Sequence, residues 1–144
     1  DEGCEGPAER IVLELQARPL LGSIVIDARY RFQPVELDLE QYGLRRFGGV
    51  LRIPEGFFIG GPESIEPRPH LRRNRCELVP ELLPDGALGI EIRCEEDRLV
   101  PPGELFNIRL ERETDEPSTF EWIEARWQPE AGQAILETPP LVVQ

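Results

Sequence analysis

The sequence contains no lysine, no methionine and a single histidine, His70. Its sixteen basic residues are therefore all arginines, and 28 acidic residues outweigh them to give a net charge of −12 at pH 7. We do not expect so acidic a chain to bind DNA, RNA or anionic lipid, because these polyanions are attracted to basic surfaces. Three cysteines without C-x-x-C spacing and one histidine do not form the pattern of a zinc or haem site. We expect no cofactor, no metal and no nucleic-acid partner.

Long apolar runs are missing as well. No stretch approaches the roughly 20 consecutive apolar residues of a transmembrane helix, so we expect no transmembrane segment. No basic segment followed by an apolar one is present either, and we expect such an export signal to have been removed if the chain is exported.

Catalytic motifs are equally scarce. His70 stands in a proline-rich segment where we expect a solvated loop histidine, and no serine or cysteine near it has the setting of an activated nucleophile. Nothing marks two of the acidic residues as a buried pair for glycoside hydrolysis. The cluster Glu95-Glu96-Asp97 lacks the alternating ligand spacing of a calcium loop, which leaves calcium binding open. We predict that the chain is not an enzyme.

What is present is alternation of apolar and polar residues along most of the chain, which predicts strands. In residues 23–32, for example, every second residue from Ile24 to Phe32 is apolar. Proline and glycine separate such runs, and many short strands at this spacing indicate a sandwich or barrel. The nine predicted strands are residues 9–17, 23–32, 35–40, 47–53, 75–83, 87–94, 104–112, 120–128 and 133–143. We predict one all-β sandwich domain over residues 9–144 after an N-terminal tail, residues 1–8, with little regular structure in residues 54–74.

The segment from Cys76 to Cys94 predicts a disulfide-bridged hairpin. Pro84-Asp85-Gly86 suits a three-residue loop, with glycine in the left-handed position. Pairing residue 83 with residue 87 then places Cys76 opposite Cys94 in a non-hydrogen-bonded pair, where a bridge is sterically feasible. The same register predicts Leu78 opposite Ile92 and Leu82 opposite Leu88 on the buried face.

The predicted disulfide also indicates the cellular location, because such bonds persist in oxidising compartments. We therefore expect a secreted or periplasmic protein. Cys4 is left over, and whether it is free, bonded to another chain or lipidated stays open, as does attachment to the cell surface. Asp1, Glu2 and Gly3 precede Cys4, whereas a lipid-bearing cysteine would normally come first.

An arginine-rich segment is the first candidate for partner binding. Its arginines are Arg68, Arg72, Arg73 and Arg75. They concentrate positive charge on an acidic chain beside strand 75–83, which Pro80 marks as an edge strand because proline cannot donate to a ladder. An acidic protein surface or an anionic glycan would suit them. The alternative is local pairing with Glu63 and Glu66.

Trp122 is the second candidate. Strict alternation in strand 120–128 places Ile123, Ala125 and Trp127 on one face and Trp122 on the other. An outward tryptophan would serve as an interface anchor or a platform for a sugar ring. The alternative is that a neighbouring loop covers it.

Several pieces of the sequence resemble the cohesin-like domains. Residues 22–30, GSIVIDARY, and 33–37, QPVEL, are similar to the family's early strand and its "YDP…VLEV" continuation. Residues 85–90, DGALGI, and 102–110, PGELFNIRL, are similar to its "GTLRI…GPGELLTLTF" course, and residues 132–143 to its closing hairpin.

The resemblance implies a jelly-roll β-sandwich of the kind that some carbohydrate-binding modules share. It also implies protein recognition outside the cell, in which one sheet face grips a small calcium-loaded helical partner, a dockerin. The disulfide hairpin and the arginine-rich segment are not hallmarks of the family. No binding residue is therefore carried over to this chain.

These observations predict an extracytoplasmic, non-catalytic module that binds a protein partner, as a structural subunit of a larger surface or envelope complex. Nine short strands use nearly all their inward positions to fill the core, so recognition is expected on the outside of the sandwich. Carbohydrate binding is the alternative, which a line of exposed aromatic residues would favour. A hydrolase comes third and would need two buried carboxylates that converge in a cleft.

Overall fold

The computed structural model describes residues 9–33, 37–96, 98–128 and 134–144. Its strands are β1 Arg10–Leu20, β2 Ser23–Gln33, β3 Arg46–Arg52, β4 Phe57–Phe58, β5 Ile65–Pro67, β6 Cys76–Leu82, β7 Leu88–Cys94, β8 Gly103–Arg112, β9 Ser118–Gln128, β10 Ile135–Glu137 and β11 Leu141–Val143. The short helices are α1, Leu39–Tyr42, and α2, Pro69–Arg73, and residues Pro62–Ser64 form a 3-10 turn. Neither helix has the length and apolar character needed to span a membrane, as far as the described residues go.

The strands form two sheets that pack face to face. The first sheet has the order β10-β1-β2-β8-β4, and β5 also pairs with β8. The second has the order β11-β9-β3-β7-β6. All pairings are antiparallel except that of β1 with β10. The predicted all-β sandwich is thus confirmed.

Alternation along the strands fills the space between the sheets. In β2, Ile24, Ile26, Ala28, Tyr30 and Phe32 are all buried, as the pattern of the sequence predicted. Aromatic rings join the two layers edge to face. The ring centroids of Tyr30 and Trp127 are 4.8 Å apart, and those of Phe57 and Phe120 are 5.0 Å apart. Such pairs strengthen a core beyond the area that they bury.

The predicted hairpin is confirmed in register and in its bond. The Leu83 N–H donates to the Ala87 carbonyl over 3.0 Å, and Gly86 has φ of 89°. Cys76 lies opposite Cys94, and the two form a disulfide. β6 is the edge strand of its sheet, as Pro80 indicated. The expectation that Leu82 is buried is wrong: its side chain is 43% exposed, because it lies at the end of the edge strand.

Three other expectations need correction. Of the predicted strand 35–40, residues 35 and 36 lie outside the described part, and Leu39 and Glu40 belong to α1, because the Asp38 side chain caps that helix by accepting a hydrogen bond from the Glu40 N–H. The predicted last strand is divided at Pro139-Pro140 into β10 and β11, which belong to different sheets; its first residue, Gln133, is not described. Residues 54–74 are more regular than expected, since they contain β4, β5 and α2.

Candidate functional site

The outer surface of β9, β3, β7 and β6 is a grid of outward side chains, which we call the glycine face. The register aligns three rows across the four strands. The rows are Gln128, Arg46, Arg93 and Glu77; Arg126, Gly48, Glu91 and Val79; and Glu124, Val50, Gly89 and Glu81. Residues between these rows, such as Phe47, Ile90 and Ile92, are buried in the core.

Two glycines make this face concave. Gly48 and Gly89 stand where the two central strands would otherwise carry outward side chains. Shallow hollows of about 260 and 220 Å³ lie along them, and Gly48, Glu91 and Arg126 line both. A strand glycine without a side chain lets a ligand or another backbone approach closely.

Packing within the chain does not account for these two glycines. A Cβ at Gly48 would lie 3.5 Å from Arg126 Nη2, and one at Gly89 would lie 3.5 Å from the Glu81 carbonyl oxygen, both ordinary contacts. Gly49 is the opposite case, because its Cβ would lie 2.7 Å from the Phe47 ring and 2.9 Å from the Trp122 ring. Core packing therefore requires glycine at position 49, whereas no contact within the chain requires glycine at positions 48 and 89.

Arginines concentrate at one end of the glycine face. Arg46 lies directly opposite Arg93 on the neighbouring strand, and Arg126 lies beside Gly48. Arg93 pairs with Glu91. Within the described residues, neither Arg46 nor Arg126 forms an ion pair. Like charges directly opposite one another destabilise a sheet.

The four arginines predicted as a binding cluster do not share one environment. Arg68 is half-buried and its Nε lies 3.6 Å from Glu104 Oε2, beside the outer face of the first sheet. Arg75, next to the disulfide, has its Nη1 3.6 Å from Glu95 Oε2. The partners are thus Glu104 and Glu95 and not the expected Glu63 and Glu66.

Only Arg72 and Arg73 lie side by side as exposed residues, on α2. His70, on the same helix, is not the solvated loop residue that was expected. It is half-buried, and its Nε2 lies 2.7 Å from the Pro101 carbonyl oxygen.

The prediction that Trp122 faces outward is wrong. Trp122 is 9% exposed and packs edge to face on Phe47, with centroids 5.3 Å apart. The cause is a β-bulge: the partners of β9 shift from Val50 opposite Glu124 to Leu51 opposite Trp122, which leaves Ile123 without a partner. Alternation is reset there, so that Ile123 is 50% exposed instead of buried.

The glycine face went unrecognised in the sequence, although part of its signal was present. Alternation in the predicted strands 47–53 and 87–94 already puts Gly48 and Gly89 out of step with the inward residues. Their adjacency depends on β3 pairing with β7, a strand far along the chain. No local pattern specifies that pairing.

Comparison with solved structures places the fold among cohesin modules. The chain aligns with a chain of a type I cohesin–dockerin complex from Clostridium thermocellum at 9% identity and a TM-score of 0.60, over 96% of each chain. It aligns with the cohesin module of a Clostridium perfringens family 33 glycoside hydrolase at 11% identity and a TM-score of 0.61, over 95% of this chain and 96% of that one.

A non-cellulosomal cohesin from the archaeon Archaeoglobus fulgidus aligns at 10% identity and a TM-score of 0.56, over 94% of this chain and 89% of that one. No protein-family model matches the sequence, and no curated protein matches it significantly. The chain therefore has the cohesin-like β-sandwich fold that the sequence resemblance predicted.

Proposed function

We propose that this chain is a non-catalytic module that binds a protein partner on the glycine face. The observation that carries the proposal is the pair of outward glycines, Gly48 and Gly89, in the centre of an exposed four-stranded surface. Packing explains neither glycine, whereas the close approach of a partner would explain both. The fold supports the proposal, since one of the similar structures is a cohesin–dockerin complex.

We further propose that the module works outside the cytoplasm, as a subunit of a larger surface or envelope complex. The Cys76–Cys94 disulfide supports this location, because disulfides are rare in reducing compartments. Its position supports the binding role as well, since it joins the edge strand β6 to β7 within the proposed binding sheet.

Sugar binding is less well supported. All the aromatic residues of the chain lie in the described part, and Phe58 is the only one among them that is exposed, at 50%. A sugar-binding sheet usually needs several exposed rings in a line. Phe58 lies with Ile53, Ile59 and Leu82 in an apolar groove of about 510 Å³ at one end of the sandwich, away from the centre of either sheet.

A hydrolase finds less support still. No buried charged side chain occurs among the described residues, so no two of their carboxylates converge out of contact with water. The hollows of the glycine face are shallow and open. Such a surface suits contact with a macromolecule better than enclosure of a small substrate.

The exposed arginines of α2 remain the alternative docking surface. Arg72 and Arg73 form no ion pair with any residue in the described part of the chain. They lie close to the start of edge strand β6. Arg68 and Arg75, which do have carboxylates nearby, would be secondary members of that surface.

The proposal is tested by a side chain placed in the hollow. Purified wild type and Gly89→Val would be immobilised and exposed to envelope and culture fractions of the native source, and the affinity for any recovered partner would then be measured. We expect Gly89→Val to bind at least about tenfold more weakly, because the added methyl groups hold the partner away from the sheet. Thermal unfolding would show that the variant is folded.

Two further variants locate the surface. Gly60→Val adds the same side chain to an exposed loop glycine and should bind like wild type. Equal binding by Gly89→Val and wild type would contradict the glycine face. A loss confined to Arg72→Glu/Arg73→Glu would move the site to α2, and turnover of any substrate by the isolated chain would overturn the non-catalytic assignment.

A further inference from the structure

Three arginines lie together at one end of the glycine face. Arg46 and Arg93 are direct cross-strand neighbours, and Arg126 lies diagonally across from Arg46, beside Gly48. All three side chains are exposed. The hollow of about 260 Å³ over β9, β3 and β7 is lined by Arg46, Arg126 and Gln128, by the backbone at Gly48, and by Phe47 and Glu91. Glu91 pairs with Arg93, whereas Arg46 and Arg126 have no ion pair within the described residues.

Fold stability does not explain this arrangement. Acidic residues greatly outnumber arginines in the chain, yet Arg46 stands opposite Arg93 and not opposite a carboxylate. The outer face of the first sheet shows the usual solution: Arg18 holds Asp27 through contacts of 2.6 and 3.0 Å, and Arg31 holds Glu14 over 2.7 Å. Glu91 neutralises Arg93, but Arg46 opposite it has no ion pair within the described residues, and like charges directly opposite one another lower stability.

We infer that the partner presents an acidic segment, whose carboxylates bind Arg46, Arg93 and Arg126 over Gly48. This inference rests on the proposed function and names the chemistry of the partner. A carboxylate matches the planar fork of a guanidinium and accepts two parallel hydrogen bonds from it. The absent side chain at Gly48 leaves the space in which the carboxylate meets both Arg46 and Arg126.

The rest of the face limits how far negative charge extends in the partner. Glu124 and Glu81 stand in the row beyond Gly48, and Glu77 flanks Arg93. A uniformly charged polyanion such as a nucleic acid or a sulfated glycan would meet these carboxylates and the net charge of −12. A peptide segment that is acidic at one end and neutral or basic at the other fits both the arginine end and the carboxylate end of the glycine face.

The test uses a short peptide of alternating glutamate and serine, with a glutamine–serine peptide as its uncharged counterpart. Each would be titrated to millimolar concentration into the isotope-labelled full chain, and the side-chain Nε–H signals of its arginines followed by NMR. We expect saturable shifts at Arg46, Arg93 and Arg126 with the glutamate peptide, weaker binding as salt increases, and no saturation with the glutamine peptide.

Matched variants separate the cluster from general charge. Arg46→Gln/Arg126→Gln should weaken binding of the glutamate peptide at least about tenfold. Arg29→Gln/Arg109→Gln removes the same charge from the first sheet and should bind like wild type. Equal affinity of both double variants, or no saturable shift at millimolar peptide, would overturn the inference, as would tighter binding of a sulfated oligosaccharide.

The inference and the proposed function can fail separately. A partner whose binding is lost with Gly89→Val but unchanged with Arg46→Gln/Arg126→Gln would leave the glycine face as the binding surface and remove the acidic segment. A partner whose affinity is unchanged by both sets of substitutions would exclude the glycine face as the binding surface.

Discussion

The outer faces of the two sheets use the same kinds of residue in opposite ways. On the first sheet, arginines and carboxylates pair across strands, as Arg18 does with Asp27 and Arg31 with Glu14. On the second, Arg46 faces Arg93, and Gly48 and Gly89 leave the backbone bare. The first face thus pairs several of its charges across strands, whereas on the second face the ion pairs are Arg52 with Glu121 and Arg93 with Glu91, and Arg46 and Arg126 have none within the described residues. The second leaves donors and space unused.

This difference indicates that solubility and stability alone do not explain the residues of the second face. Paired charges on an exposed sheet keep it soluble and add little to stability. An arginine without an ion pair that stands opposite another arginine lowers the stability of a sheet, and so do outward strand glycines. Their coincidence on one face supports the proposal that this face binds a partner, and variants on each side of the comparison can test it.

The largest effect is expected at the disulfide, which ties the edge of the second sheet. Cys76→Ser/Cys94→Ser should lower the free energy of unfolding by about 3 kcal/mol, because it releases a closed loop with a sequence separation of 18. Urea unfolding would measure it, and reduced wild type is the control. Hydrogen exchange should rise in β6 before it rises in β1 and β2. An unchanged midpoint would show that the bond does not stabilise this sheet.

The next effect separates glycines that serve the core from those that serve the surface. Gly49→Ala should destabilise by about 1–3 kcal/mol, because its Cβ meets Phe47, Trp122 and a strand carbonyl within 3.0 Å. Gly89→Ala should be neutral or stabilise by up to about 1 kcal/mol, since the added methyl finds ordinary contacts and restricts the unfolded chain. Thermal unfolding of the pair, measured side by side, checks both signs. Equal destabilisation would mean that Gly89 is structural.

A buried phenol of the first sheet separates stability from binding. Tyr30 donates a hydrogen bond to the Val100 carbonyl and accepts one from the Leu44 N–H over 3.3 Å. Tyr30→Phe should lower stability at neutral pH by about 1 kcal/mol, because both hydrogen bonds of the phenol are lost while the Leu44 N–H keeps its bond to the Val100 carbonyl. Partner affinity should be unchanged. A matching loss of affinity would show that the two faces are coupled.

The same residue makes stability depend on alkaline pH. Burial raises the pKa of the Tyr30 phenol above its usual value of 10.0. Above about pH 10 the unfolded chain loses this proton while the folded chain keeps it, so stability falls as pH rises. The free energy of unfolding of Tyr30→Phe should fall less steeply over that pH range, as urea unfolding at several pH values would show. Tyr42, whose pKa is also raised by its hydrogen bond to Glu9, stays in both proteins as a common background.

The smallest effect is also the sharpest test of the glycine face. Arg46→Gln should raise the free energy of unfolding by about 0.3 kcal/mol, because it removes a like charge opposite Arg93. Arg18→Gln on the first face should lower stability slightly, because it removes an ion pair. Precise urea unfolding at low salt checks the two signs. A loss of stability in Arg46→Gln would mean that Arg46 has a structural role.

The sequence by itself determined what depends on neighbouring residues. Alternation specified β2 and its buried face, because side chains along a strand point to opposite sides whatever the strand pairs with. Pro84-Asp85-Gly86 specified the hairpin, and the hairpin register specified the disulfide, since a tight turn fixes every pair that follows it.

Tertiary structure decided what depends on partners distant in the chain. The bulge at Ile123 arises where β9 must fit β3, and it turned Trp122 inward against the alternation of its own strand. The separation of β10 from β11 follows from their joining different sheets. The meeting of Gly48 with Gly89, and of Arg46 with Arg93, required β3 to pair with β7. Strand order depends on the packing of the whole core, and the periodicity of a single strand does not predict which strands it pairs with.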